Sequence, residues 1–108
     1  MARTLEKQAG PGSLGATKTI TAGPAYTVLP TDKTLLVDDT RAGQAVRVVL
    51  PAVVNSKNRE IRVKKIGANY SVTVDGNGAN IDGSATHVLS SSYDSIIFVC
   101  DGTAWWIV

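Results

Sequence analysis

The sequence predicts an all-β domain, an antiparallel β-sandwich of jelly-roll-like type, preceded by an extended N-terminal arm. Three observations carry this. Short runs rich in β-branched and aromatic residues recur along the 108 residues, with Gly, Pro, Asn and Asp clusters between them, the pattern of a sandwich or barrel. No stretch keeps apolar residues at the three-to-four spacing of a helix. The final run, Ala104-Trp105-Trp106-Ile107-Val108, is apolar on both of its alternating faces, so a strand there must be covered on both sides.

Residues 1–16 differ from the rest. Gly10-Pro11-Gly12-Ser13 and Gly15 break any strand period, and Leu5 and Leu14 are the apolar anchors of this expected arm. Residues 17–108 form the expected sandwich domain. Strands are predicted over Thr17 to Thr21, Ala25 to Leu29, Thr34 to Asp38 and Ala45 to Leu50, separated by Gly23-Pro24, Pro30-Thr31-Asp32 and Asp39 to Gly43. They continue over Glu60 to Ile66, Ser71 to Asp75, Thr86 to Leu89, Asp94 to Asp101 and Ala104 to Val108. Asp75-Gly76-Asn77-Gly78, Asp82-Gly83 and Asp101-Gly102 provide the turns, because Gly and Asn adopt positive φ at little cost. The last two strands, joined across Asp101-Gly102-Thr103, read as a hairpin.

Alternation assigns faces. Ile61 and Val63 oppose Arg62 and Lys64, and Tyr70, Val72 and Val74 oppose Ser71 and Thr73, with the apolar set of each pair directed to the core. In Ser95-Ile96-Ile97-Phe98-Val99-Cys100 one face carries Ile96, Phe98 and Cys100 and the other carries Ile97 and Val99. A domain this small offers one core. One of Trp105 and Trp106 is therefore expected in it, and the other at a contact with a second subunit or protein, together with Ile97 and Val99.

Composition narrows the function. A net charge of +2 is too small and dispersed for nucleic acid, and the one basic cluster, Arg59, Arg62, Lys64 and Lys65, reads as a solvated strand face. No apolar run reaches the length of a membrane span, and no charged segment followed by an apolar stretch opens the protein, so a soluble protein made in a cytoplasm is expected. Cys100 is the one cysteine, which excludes an intrachain disulfide, and it reads as a small buried hydrophobe. His87 is the one histidine and has no partners for a zinc site. It reads as a strand-edge surface residue. Asp75 to Gly83 is rich in oxygen ligands but breaks the EF-hand pattern at Ala79 and lacks a closing glutamate. No Gly-x-Ser-x-Gly elbow and no phosphate loop are present. No catalytic residue, cofactor site or metal site is therefore expected, and the protein is read as a non-enzyme.

The order Ala25-Tyr26-Thr27-Val28-Leu29, Thr34-Leu35-Leu36-Val37-Asp38, Val46-Arg47-Val48-Val49-Leu50-Pro51 and Ile61-Arg62-Val63-Lys64-Lys65-Ile66 continues through Val72-Thr73-Val74-Asp75, Asn77-Gly78, Ile81-Asp82-Gly83 and Asp101-Gly102-Thr103-Ala104-Trp105. From about Thr19 to Val108 it resembles a β-rich module of tailed-bacteriophage virion proteins, found in tail fibres and head-associated proteins. The resemblance implies an oligomeric structural protein, expected as a homotrimer, with no catalytic residues. With little room for a shaft, it implies a capsid decoration or cement protein of the virion whose partners are itself and the major capsid protein, without nucleic acid or membrane. The alternative is a tail-fibre module that binds a host surface glycan through Tyr70, Tyr93 and Trp105 or Trp106.

Overall fold

Strands form where the alternating runs lie. The computed structural model describes residues 15–108, so residues 1–14 of the expected arm, with its anchors Leu5 and Leu14, lie outside the described residues. The nine strands among those described are β1 (Ala16–Ile20), β2 (Ala25–Thr27), β3 (Asp32–Val37), β4 (Val46–Val49), β5 (Glu60–Lys65), β6 (Val72–Asp75), β7 (Thr86–Leu89), β8 (Ser95–Cys100) and β9 (Trp105–Ile107). β1 starts at Ala16, one residue inside the expected arm. Helix among the described residues is confined to one short turn, α1 (Asp39–Ala42), and a 3₁₀ turn at Val53–Asn55. The Asp38 carboxylate caps α1 by accepting from Arg41 N–H at 3.0 Å, and Gly43 at φ 70° ends it, as left-handed helix ends require.

Pairing departs from an antiparallel, jelly-roll-like arrangement. Both sheets are mixed: one has the order β1-β3-β5-β8-β9 and the other β2-β4-β6-β7. From β1 to β6 the backbone alternates between sheets, so β1, β3 and β5 run parallel, as do β2, β4 and β6. A strand of the opposite sheet thus serves as the crossover that parallel neighbours need. β7, β8 and β9 then add antiparallel. The connections before β6 are bends from one sheet to the other. The expected hairpin does form between β8 and β9, with Val99 opposite Trp106 and Cys100 opposite Trp105.

The inner faces of both sheets meet in one apolar cluster. The five-stranded sheet contributes Leu35, Val37, Ile61, Val63, Phe98, Cys100 and Trp105, and the four-stranded sheet Val46, Val48, Val72, Val74 and Leu89. Each large side group so buried stabilises the fold by roughly 1.5 to 3 kcal/mol. Three face assignments need correction. Tyr70 precedes β6 and is exposed, because its backbone N–H is turned toward Asp39 Oδ2 at 2.7 Å. Lys65 shares the inward parity of Ile61 and Val63 and is 1% exposed; its ammonium meets Asp39 Oδ1 at 3.3 Å and donates to Gly67 O at 2.6 Å. His87 lies on edge strand β7 but opposite Val74, on the inward parity, and is half-buried rather than a surface residue.

Candidate functional site

The outer face of the five-stranded sheet gathers the expected contact residues at its β8–β9 end. Ile97 and Val99 project outward from β8 and are half-buried. Trp106 pairs with Val99 on the same face and is 46% exposed. Val108 joins them, its N–H bonded to Ile97 O at 3.1 Å, and is itself exposed. Trp105 does not belong to this surface. It is fully buried, because adjacent residues of a strand point to opposite faces.

Trp106 is held in place although exposed. Its indole Nε1–H donates to Asp101 Oδ2 at 2.8 Å, while Asp101 Oδ1 accepts from Thr103 N and Ala104 N, both at 2.8 Å. These donors, the indole first, hold the Asp101 carboxyl below the usual carboxylate range. The hairpin turn thereby fixes the ring it presents. Sequence reasoning found Trp106 but missed Asp101, read as a turn residue alone. A tryptophan five residues beyond an Asp-Gly turn was the available signal.

Beside this apolar strip the face is charged with both signs. Register sets Glu60 opposite Val99, Arg62 opposite Ile97 and Lys64 opposite Ser95. Glu60 pairs with Lys33 at 3.4 Å, and the Lys64 ammonium lies 5.8 Å from the ring centroid of Tyr93, which is 67% exposed. The outer edge of β9 is closed by the protein itself. Trp105 N donates to Asn80 O at 2.9 Å, Asp82 N to Trp105 O at 3.1 Å, and Ile107 N to Asp82 Oδ1 at 3.0 Å. A partner at this end must meet the face, since no strand can add to an occupied edge.

A second polar cluster ties β1, β2, β3 and the start of β5 together. Tyr26 OH donates to Asp32 Oδ2 at 2.5 Å and accepts from Lys18 Nζ at 2.8 Å. Leu29 N donates to the same carboxylate oxygen at 2.9 Å, and Arg59 Nη2 donates to Leu29 O at 2.6 Å and Asp32 O at 2.7 Å. Burial opposes ionisation of Asp32, but the hydrogen bonds from Tyr26 and Leu29 and the Lys18 charge outweigh it and lower its pKa. Tyr26 is raised, first by burial and then by its bond to Asp32. The shared hydrogen bonds of Lys18, Tyr26 and Asp32 make the cluster a clasp between β1, β2 and β3.

The oxygen-rich Asp75 to Gly83 segment spends its carboxylates on the protein. Asp75 Oδ1 accepts from Asn77 N at 2.8 Å, Asp75 Oδ2 from Arg47 Nε at 2.8 Å, and Asp82 Oδ1 from Ile107 N. Among the described residues no group of three or more His, Cys, Asp or Glu residues is arranged to hold a metal ion, and no helix is long and apolar enough to cross a membrane. No protein-family model matches the sequence, and no curated protein matches it.

Proposed function

We propose that this protein is a non-enzymatic structural component of a phage virion, a capsid decoration or cement protein that self-associates, as a homotrimer, and binds the major capsid protein. In this reading its two sheets pack as the layers of a sandwich and the residues before β1 act as an arm. The observation that carries it is the Trp106 strip: Ile97, Val99, Trp106 and Val108 form an apolar surface on a rigid sheet, with its aromatic oriented in advance by Asp101. Contacts fixed before binding lose little entropy on association, and tryptophan is among the residues enriched at interface hot spots. Glu60, Arg62 and Lys64 along one edge of the strip supply charges of both signs, which suits a second copy of the same face or a mixed-charge shell. Binding the assembled lattice more tightly than its separated subunits stabilises it by mass action.

The test measures the mass of the free protein by light scattering and its co-sedimentation with purified capsids lacking decoration. Oligomers that bind capsids support the reading. A monomer that ignores capsids but binds cell-surface glycan would replace it with the tail-fibre alternative, for which Trp106, Tyr70 and Tyr93 remain exposed while Trp105 is lost to the core.

A further inference from the structure

The five asparagines of the protein are Asn55, Asn58, Asn69, Asn77 and Asn80. An asparagine amide is lost when the backbone nitrogen of the next residue attacks its Cγ carbonyl, so the state of that nitrogen and the freedom of the amide group decide which one reacts. In four of the five the nitrogen is engaged. Ser56 N donates to Val53 O at 3.0 Å, Arg59 N to Ser56 O at 2.8 Å and Ile81 N to Ser84 O at 2.6 Å. Tyr70 N donates to Asp39 Oδ2 at 2.7 Å, and the Asn69 amide group is itself held, its Oδ1 accepting from Thr40 Oγ1 at 2.6 Å.

Asn77 differs at this nitrogen. Like the other four it is exposed, but Gly78 N donates to no group among the described residues, and the Asn77 amide group, unlike that of Asn69, makes no hydrogen bond among them. Asn77 and Gly78 have φ 57° and 87°, the two central positions of a tight turn closed by a single bond, Ala79 N to Gly76 O at 3.2 Å. Nothing lies within 4 Å of where a Cβ on Gly78 would be, so glycine leaves the nitrogen unshielded. The two Asp-Gly turns share the motif but not the freedom. Asp82 is bound by Ile107 N, and both Asp101 oxygens are occupied while Gly102 N donates to Cys100 Sγ at 3.4 Å.

We propose that Asn77 is a site of spontaneous, selective deamidation through a succinimide, with water as the co-reactant. Gly78 N forms a bond to Asn77 Cγ, the Cγ–Nδ2 bond breaks, and Nδ2 leaves as ammonia with the proton from Gly78 N. Water then adds to the imide and opens one of its two ring bonds to nitrogen, giving aspartate or, with the backbone rerouted through Cβ, isoaspartate. The product carboxylate forms two residues from Asp75, which binds Arg47 and the Asn77 N–H. It lowers the formal charge of +2 by one and puts a second anion on that end of the four-stranded sheet.

The experiment incubates the folded protein at mildly alkaline pH and follows it by intact mass and peptide mapping. The expected result is a gain of about 1 Da confined to the peptide holding Asn77, as mixed aspartate and isoaspartate, faster than at any other asparagine by about tenfold or more and accelerating with pH. Asn77→Gln is expected to abolish it. The proposal is overturned if Asn77 keeps its amide in the folded protein over a period in which it reacts in the denaturant-unfolded protein, or if another asparagine reacts as fast.

Discussion

At the scale of single residues, the two tryptophans make the sharpest contrast, since they are neighbours in sequence with opposite environments. Trp105 fills the core between Cys100 and Ile81. Truncating a large buried aromatic costs roughly 3 to 5 kcal/mol, a large fraction of the stability of a domain this size. Trp105→Ala is therefore expected to unfold or to lose its cooperative denaturation transition. Trp106→Ala keeps the core and is expected to keep its stability within about 1 kcal/mol, while weakening self-association or capsid binding by about 2 kcal/mol or more. Equal loss of stability in both variants would remove the distinction. Cys100 belongs to the same argument. It is 1% exposed and out of a reagent's reach in the folded protein, so a thiol reagent should label it only on unfolding.

Two polar devices act between elements and respond to pH. The clasp of Lys18, Tyr26 and Asp32 joins β1, β2 and β3, and the buried Asp39–Lys65 pair joins α1 to the end of β5. Burial disfavours ionised Asp39, but the backbone bonds from Tyr70 and Asn69, with Lys65, prevail and lower its pKa; Asp32 is lowered too. A carboxyl depressed on folding contributes stability that is present above its unfolded pKa, about 3.9, and lost as pH falls through the folded value. Denaturation midpoints should hold steady down to about pH 5 and then decline, with a smaller decline in Asp32→Asn. Tyr26 is raised, so its contribution persists below its unfolded pKa of about 10 and fades as pH rises beyond it. A stability that rose on acidification below about pH 4 would contradict the carboxylate assignments. Lys65→Met leaves Asp39 without its counter-ion and should cost about 3 to 5 kcal/mol. Restoring much of that loss by adding Asp39→Asn would show the cost to be the stranded charge rather than lost packing.

For the molecule as a whole, what the sequence disclosed was local. Short β-rich runs between turn residues marked all nine described strands, and side-chain parity set the outward face of Ile97 and Val99, because a period of two is written in consecutive residues. Sheet membership was not legible. The bends at Gly23-Pro24 and Pro30-Thr31 carry the same turn chemistry whether the backbone folds back on its neighbour or crosses to the other sheet, and the partner of a parallel strand lies one full coil away. Thr34, for example, pairs with Arg62. The same distance hid the Asp39–Lys65 pair, although the parity of Lys65 was in view. The coiled path also bears on the proposed arm. Every strand of the described core lies at or beyond Ala16, and the core cluster runs from Ile20 to Trp105. A truncation that ends at Leu14 therefore removes none of the nine described strands. It is expected to keep the denaturation midpoint and the free oligomeric mass while lowering affinity for assembled capsids, since Leu5 and Leu14 beside Arg3 and Lys7 would dock and steer on the shell. Capsid co-sedimentation equal to that of the full-length protein would reduce residues 1–14 to a passive tail. A collapsed fold would instead make them part of the sheet that β1 begins.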